Sequence, residues 1–234
     1  MNSAKAAAKA KRDWLQQAIY AIINPFVRLL IRLGITPNAV TTIGFLGNAA
    51  AAALFCYAGY HASVSQDPQY TYVMWGGILI IAFSLFDMLD GQVARLGNMT
   101  STFGAMYDSV LDRYCELLTL GGICYYLIMT AHTAGALITF LALVGSLMVS
   151  YVRARAEGLG IECKIGFMQR PERVVITAVA ALACGITGIC LPDNSTFDAT
   201  IILSTAMAVI AVFANLTAFA RLAYSKRQMN KNAK

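Results

Sequence analysis

Residues 86–112 read FDMLDGQVARLGNMTSTFGAMYDSVLD and place four aspartates between apolar stretches. Asp87 and Asp90 are three residues apart, while Asp108 and Asp112 are four apart. Side chains at these spacings share one face of a helix. Because only a short polar stretch separates the two pairs, the segment predicts two antiparallel helices whose acidic faces can point towards each other.

The rest of the chain has the composition of a membrane protein. Of its 234 residues 58% are hydrophobic and 13% are charged, whereas soluble domains carry about 25% charged residues. A transmembrane helix needs about 20 mostly apolar residues. Six stretches qualify, namely 38–58, 71–93, 106–130, 134–152, 173–191 and 199–220. We therefore predict an all-α integral membrane protein, a single domain over residues 1–234 with a six-helix transmembrane bundle over 38–220.

A seventh, amphipathic helix is predicted ahead of the bundle. Residues 13–33 read DWLQQAIYAIINPFVRLLIRL, with apolar side chains at spacings of three and four. Arg28 and Arg32 fall on the other side. This pattern is typical of a juxtamembrane helix lying in the membrane interface. A helix packed on the bundle is the alternative.

The basic residues predict the orientation. The loops 59–70, 131–133 and 192–198 contain no Lys or Arg, although the chain has 18 such residues. Because cytoplasmic loops are enriched in Lys and Arg, both termini and the acidic segment are predicted on the cytoplasmic side of the cell membrane. His61 and His132 are predicted to lie in the opposite loops, and we do not expect them to make a metal site. The six cysteines form no Cys-x-x-Cys pair, so we predict neither a disulfide framework nor a zinc site.

The four aspartates need a physical explanation, because a charge at the centre of a transmembrane helix costs about 2.5–3.5 kcal/mol. Converging carboxylates repel one another unless cations lie between them. Hard divalent cations prefer such oxygen ligands, so a metal site is one interpretation. An ion path, or helices paired through Arg95 and Arg113, is the other, and spacing alone leaves both open.

Eight positions of this segment resemble the signature of the CDP-alcohol phosphotransferase family. They match it in identity and spacing, and they are Asp87, Asp90, Gly91, Ala94, Arg95, Gly104, Asp108 and Asp112. The resemblance implies six transmembrane helices after a juxtamembrane helix, a homodimer, and an active site open to the cytoplasm. It implies an enzyme that transfers a phosphatidyl group from CDP-diacylglycerol to an alcohol.

The resemblance also assigns roles to residues. It implies that Asp87, Asp90 and Asp108 hold two Mg²⁺ or Mn²⁺ ions and that Asp112 is the general base and also contacts a metal. The residues that it places along the CDP-lipid are Thr36, Pro37, Asn38, Gly91, Ala94, Arg95 and Gly104. Glu116 follows Asp112 on the same face, and we expect it to have a supporting role.

A basic segment indicates which alcohol accepts the phosphatidyl group. Residues 150–173 read SYVRARAEGLGIECKIGFMQRPER, and they resemble the actinobacterial branch of the family that makes phosphatidylinositol phosphate. Residues 161–164 lack the glycine-rich character of that branch, and some of its members carry lysine where Arg153 stands. The resemblance implies that the phosphate of inositol 1-phosphate is bound by Ser150, Arg153, Arg173 and Arg221.

Other interpretations of these arginines and of the function are also open. Arg155 and Arg170 fit general cytoplasmic charge equally well. Glycerol 3-phosphate also carries a phosphate, so a phosphatidylglycerol phosphate synthase is the alternative within the family. An ion transporter with an acidic intramembrane site is the alternative from another class. Membrane lipids are the expected surroundings, and we predict no nucleic-acid partner.

Overall fold

The computed structural model describes residues 23–65, 67–192 and 196–232, and their regular secondary structure is entirely helical. Residues 23–32 form the described part of α1. The helices that follow are α2 (Pro37–Ser65), α3 (Tyr70–Leu96), α4 (Thr102–Met129), α5 (Thr133–Glu157), α6 (Arg170–Cys190) and α7 (Thr200–Asn232). The all-α prediction is confirmed for this part of the chain.

Five of these helices are long and apolar enough to cross a membrane, namely α2, α3, α5, α6 and α7. The chain is therefore a multi-pass membrane protein. Helix α4 is not among the five, because it carries the charged residues Asp108, Asp112, Arg113 and Glu116. It has 28 residues, which is more than the length that a transmembrane helix requires. The sixth span stays a prediction.

The connection between α1 and α2 follows from the residue types at Gly34, Thr36 and Pro37. Gly34 has φ of +74°, which is common for the glycine that follows a helix. The Ile35 amide donates to the Leu30 carbonyl at 3.0 Å and so closes α1. Thr36 then accepts from the Ala39 amide at 3.3 Å, as an N-cap residue does. Pro37 follows at the first helical position, where its missing N–H costs nothing.

The turn between α3 and α4 has equally local causes. Asn98 has φ of +51°, a conformation that asparagine tolerates better than most residues. The Met99 amide donates to the Ala94 carbonyl at 2.9 Å across this turn. Ser101 then accepts from the Gly104 amide at 2.9 Å and caps α4. The predicted helix pair around the acidic segment thus begins and ends as its sequence dictates.

The chain divides into two compact units. The first consists of Met1–Gly44 and Leu85–Leu111, so its described part holds α1, the first turns of α2 and α4 and the last turns of α3. Val27, Val40, Leu89 and Val93 form its buried core. The exposed Phe26 and Leu29 of α1, and Leu33 directly after it, are not part of that core. Residues 13–22 of the predicted segment 13–33 lie outside the described residues, so the amphipathic helix stays a prediction.

The second unit consists of Phe45–Ser84 and Asp112–Lys234. Glycines and alanines bring its helices together. A Cβ atom on Gly185 of α6 would lie 2.6 Å from the Met74 backbone nitrogen of α3, and one on Gly77 of α3 would lie 2.9 Å from the Leu182 nitrogen of α6. Close approach of this kind through small residues is typical of helix packing in membranes.

Asp198 joins three elements at one end of the second unit. It accepts from the Thr200 amide at 2.8 Å and so caps α7. Tyr70 at the start of α3 donates to Asp198 Oδ1 at 3.3 Å, and His132 Nε2, between α4 and α5, lies 2.8 Å from Asp198 Oδ2. Burial alone would raise the pKa of Asp198, but the bonds from Thr200 and the neighbouring His132 hold it below its usual value.

Candidate active site

Three of the four signature aspartates converge in the first unit. Asp87 and Asp90 come from the last turns of α3, and Asp108 comes from the second turn of α4. Each offers a carboxylate oxygen, and these atoms all lie within 4.8 Å of one another. Asp90 is buried and the other two are half-buried. The capped turn between α3 and α4 brings these side chains together.

The donor set fits a divalent cation. Three carboxylates at this separation repel one another in a partly buried place unless positive charge is added. Their oxygens are hard ligands of the kind that Mg²⁺ and Mn²⁺ prefer, and Mg²⁺ sites commonly use few carboxylates together with substrate phosphates. Asp87, Asp90 and Asp108 are therefore the residues that would hold the metal.

A pocket of about 250 Å³ opens beside this cluster and contains Asp90 and Asp108 in its wall. From the sequence, seven residues are expected along the CDP-lipid. Six of them lie in the wall of this pocket, namely Pro37, Asn38, Gly91, Ala94, Arg95 and Gly104. Thr36, the seventh, caps α2 next to Pro37. The pocket thus joins the acidic cluster to the residues expected to contact the nucleotide.

Two glycines keep this pocket open. A Cβ atom on Gly104 would lie 3.0 Å from Ser101 Oγ and 3.3 Å from Asn38 Oδ1, which is tighter than side chains normally pack. A Cβ atom on Gly91 would lie 3.5 Å from the guanidinium of Arg95, one turn further along α3. A side chain at either glycine would occupy space that the pocket needs.

Thr41 belongs to the wall of this pocket, whereas Thr42 and Tyr107 are not among its lining residues; none of the three was singled out from the sequence. Thr41 Oγ1 lies 2.7 Å from Asp90 Oδ2. Thr42 Oγ1 lies 2.9 Å from the Tyr107 hydroxyl. The only signal in the sequence is the position of Thr41 four residues after Pro37, which puts both on one face of α2.

The fourth signature aspartate, Asp112, lies one turn after Asp108 on α4 and belongs to the second unit. Its Oδ1 atom is 2.7 Å from Arg170 Nη2, and its Oδ2 atom is 3.8 Å from Arg113 Nη1. It is not among the three clustered acids. Its predicted roles as base and metal contact stay predictions.

A second ion pair lies one turn further along the same two helices. Arg173 of α6 donates from Nε and Nη2 to the two carboxylate oxygens of Glu116 on α4, with Nη2 at 3.0 Å. Its Nη1 atom also donates to the Met168 carbonyl at 3.1 Å. The Arg173 side chain is 2% exposed and that of Glu116 is 9% exposed. Arg173 is thus the partner of Glu116, the residue for which the sequence predicts a supporting role.

The remaining predicted acceptor residues lie on α5 and α7. Arg221 is buried in α7 and donates to the carbonyls of Ile165 at 2.7 Å and Val149 at 2.8 Å. It therefore connects the loop after α5 to both helices. Arg153, near the end of α5, pairs with Glu157 at 2.9 Å, and Ser150 is half-buried one turn earlier.

Comparison with known proteins gives a consistent result. The family model of CDP-alcohol phosphatidyltransferases matches residues 34–217. The phosphatidylinositol phosphate synthase of Mycobacteroides abscessus is 31% identical over 202 residues, which cover 86% of this chain and 82% of that protein. The archaetidylinositol phosphate synthase of Methanothermobacter thermautotrophicus is 40% identical over 165 residues, which cover 68% of this chain and 75% of that protein.

Solved structures agree with the sequence comparisons. The Mycobacterium tuberculosis phosphatidylinositol phosphate synthase with CDP-diacylglycerol bound superimposes with a TM-score of 0.73 at 29% identity, covering 88% of this chain and 94% of that one. The same mycobacterial enzyme in complex with manganese and citrate gives a TM-score of 0.71 at 30% identity, covering 86% and 87%.

Together the fold and the acidic cluster define a membrane-embedded phosphotransferase. The chain belongs to the CDP-alcohol phosphatidyltransferase family, and it is an enzyme of phospholipid synthesis. The resemblance deduced from the eight signature positions is thereby confirmed.

Proposed function

We propose that the enzyme transfers the phosphatidyl group of CDP-diacylglycerol to inositol 1-phosphate and forms phosphatidylinositol phosphate and CMP. The observation that carries this proposal is the pocket in which Asp90 and Asp108 meet six residues of the expected CDP-lipid site. The names of the related synthases, and the CDP-diacylglycerol in a related structure, support the choice of substrates.

Asp87, Asp90 and Asp108 hold two Mg²⁺ or Mn²⁺ ions in this proposal. Divalent ions bound there would neutralise the diphosphate and the leaving CMP. The pocket residues Asn38, Gly91 and Arg95 bind the CDP moiety, with Arg95 supplying a positive charge to its phosphates. The manganese in a related structure supports this choice of metal.

Asp112 acts as the general base. The acceptor hydroxyl gives its proton to the Asp112 carboxylate as its oxygen bonds to the lipid-bearing phosphorus, and the bond from that phosphorus to the CMP oxygen breaks. The ion pair between Asp112 and Arg170 at 2.7 Å keeps the carboxylate in one orientation before the acceptor arrives.

Ser150, Arg153, Arg173 and Arg221 bind the acceptor phosphate. Buried hydrogen bonds to Glu116 and to main-chain carbonyls fix the guanidinium groups of Arg173 and Arg221 in advance. Preorganised donors lose little entropy when they bind a phosphate, and arginine offers the planar geometry that a phosphate matches.

The membrane arrangement extends the same proposal. The chain forms one membrane domain over residues 1–234, with α4 as the sixth span and α1 within an amphipathic juxtamembrane helix. It is a homodimer in the cell membrane, with both termini and the active site cytoplasmic. The absence of Lys and Arg from the loops 59–70, 131–133 and 192–198 supports this orientation.

Two competing functions are distinguished by experiment. A phosphatidylglycerol phosphate synthase, which takes glycerol 3-phosphate as the acceptor, would need the same metal site and a similar set of arginines. An ion transporter would use the acidic cluster without releasing CMP. Neither of these two functions agrees as well as the proposed one with the names of the relatives, which include an archaetidylinositol phosphate synthase.

The proposal is tested by incubating the purified protein with CDP-diacylglycerol, Mg²⁺ and isotopically labelled inositol 1-phosphate. We expect the label to enter the lipid fraction, and we expect no transfer after chelation of the metal. An Asp108→Asn variant is expected to lose transfer as well. Label that stays in the aqueous fraction under all conditions would contradict the proposal.

A further inference from the structure

The hydroxyl group of Thr41 connects the start of α2 to one of the clustered aspartates. Thr41 Oγ1 lies 2.7 Å from Asp90 Oδ2. Thr41 is 8% exposed and Asp90 is 6% exposed, so little water competes for this bond. Both residues also line the pocket that contains Pro37 and Asn38. This contact lies in the first unit and joins segments that are 49 residues apart.

The direction of this hydrogen bond follows from the chemistry of the two groups. An ionised carboxylate only accepts, so the hydroxyl donates to Asp90. The Pro37 carbonyl lies 3.0 Å from the same hydroxyl, which has a single proton to give. The carboxylate is both closer and charged, and charge-assisted bonds are the stronger ones.

We infer that Thr41 is a positioning residue for the metal site and holds the Asp90 carboxylate in the orientation that a divalent cation requires. This inference rests on the proposed assignment of Asp90 as a metal ligand. The hydroxyl bonds to one carboxylate oxygen and limits rotation of the group. Loss of such a supporting bond typically lowers metal affinity by about 10–100-fold.

Thr41→Val tests this inference, because it removes the hydroxyl group and keeps the branched shape. Mn²⁺ binding to the purified full-length protein in detergent, without lipid substrate, is measured by electron paramagnetic resonance. We expect the valine variant to bind Mn²⁺ at least about 10-fold more weakly than the parent protein. Thr41→Ser keeps the hydroxyl and is expected to retain most of the affinity. A Thr41→Ala variant provides the same comparison if the valine variant misfolds.

Thr42→Val is the matched control. Thr42 is the next residue on α2, and its hydroxyl donates to the Asn38 carbonyl at 2.7 Å and pairs with the Tyr107 hydroxyl at 2.9 Å. This variant removes a hydroxyl from the same helical turn without touching the bond to Asp90. We expect its Mn²⁺ affinity to stay close to that of the parent protein. An equal loss in both valine variants would overturn the inference, because the effect would then come from helix packing.

Asp90→Asn separates this inference from the proposed function. If Asp90→Asn loses Mn²⁺ affinity while Thr41→Val retains it, the metal site stands and the role of Thr41 is wrong. If Asp90→Asn binds Mn²⁺ as well as the parent protein, the assignment of Asp90 as a ligand fails and the inference fails with it. Weaker binding in both variants, with normal binding by Thr41→Ser and Thr42→Val, supports the inference.

Discussion

At the scale of single residues, Asp112 and Arg170 form an ion pair with 2.7 Å between Oδ1 and Nη2. Asp112→Asn keeps the size of the side chain and an oxygen that can accept from Arg170, but it removes the proton acceptor. We expect turnover to fall by about 10²–10⁴-fold, the usual contribution of a general base. CDP-lipid binding should be unchanged. Single-turnover CMP release and a CDP-lipid binding titration check these expectations, and normal turnover would remove Asp112 from the role of base.

Arg173 has a structural partner as well as a proposed substrate, so its replacement has two effects. Arg173→Ala leaves Glu116 buried without its cation, a change that costs about 3–5 kcal/mol in comparable cases. We expect a lower melting temperature and a higher KM for the acceptor, with little change in KM for the CDP-lipid.

The double variant Glu116→Ala/Arg173→Ala separates the two effects. It removes both charges, so we expect the melting temperature to recover towards that of the parent protein. The acceptor KM should stay high, because the proposed phosphate ligand is still missing. Recovery of both quantities would mean that Arg173 serves the fold alone.

At the scale of helices, the contact between α3 and α6 depends on Gly185. A Cβ atom there would lie 2.6 Å from the Met74 backbone nitrogen, and backbone atoms cannot move aside as a flexible side chain can. We expect Gly185→Ala to destabilise the protein by about 1–3 kcal/mol, the usual effect of overpacking. Thermal unfolding in detergent measures this loss.

Gly121→Ala is the matched control on α4. Apart from its chain neighbours and the backbone of its own helix, a Cβ atom at Gly121 would have no atom within 4 Å among the described residues. Alanine is also the better helix former by about 1 kcal/mol, so this variant should be neutral or slightly more stable. Equal destabilisation by the two substitutions would contradict the packing argument.

The sequence predicted where helices lie better than where they end. The apolar stretch 134–152 lies within α5, which continues to Glu157, and the stretch 199–220 covers only part of α7, which continues to Asn232. Hydropathy reports the apolar part of a helix, whereas hydrogen bonding extends the helix into polar sequence. The turn between α3 and α4 was predictable because it depends on local residue types, such as Ser101 as an N-cap.

The contacts that the sequence did not predict are those between distant segments. The bond from Thr41 to Asp90 spans 49 residues, and the pair between Arg173 and Glu116 spans 57. Helical periodicity places each side chain on a face of its own helix but does not say which helix that face meets. The three clustered aspartates were the exception, because a short turn makes α3 and α4 neighbours.

At the scale of the whole molecule, the distribution of basic residues predicts the orientation in the membrane. Asp67 lies in a loop without Lys or Arg, and Lys164 lies in the basic connection between α5 and α6; both are exposed. In a variant whose exposed Cys56 and Cys190 are replaced by serine, we expect a membrane-impermeant maleimide to label Asp67→Cys in intact cells. Lys164→Cys should be labelled only after the cells are opened. The reverse pattern would invert the proposed topology.

The central claim concerns the reaction, so CMP release by the purified enzyme is the most direct test. CDP-diacylglycerol and Mg²⁺ are supplied with inositol 1-phosphate, free inositol, glycerol 3-phosphate or serine in separate reactions. We predict release with inositol 1-phosphate alone, because the proposed acceptor site is built from arginines that bind a phosphate. Release with glycerol 3-phosphate in its place would contradict the proposed acceptor and assign the enzyme to phosphatidylglycerol phosphate synthesis.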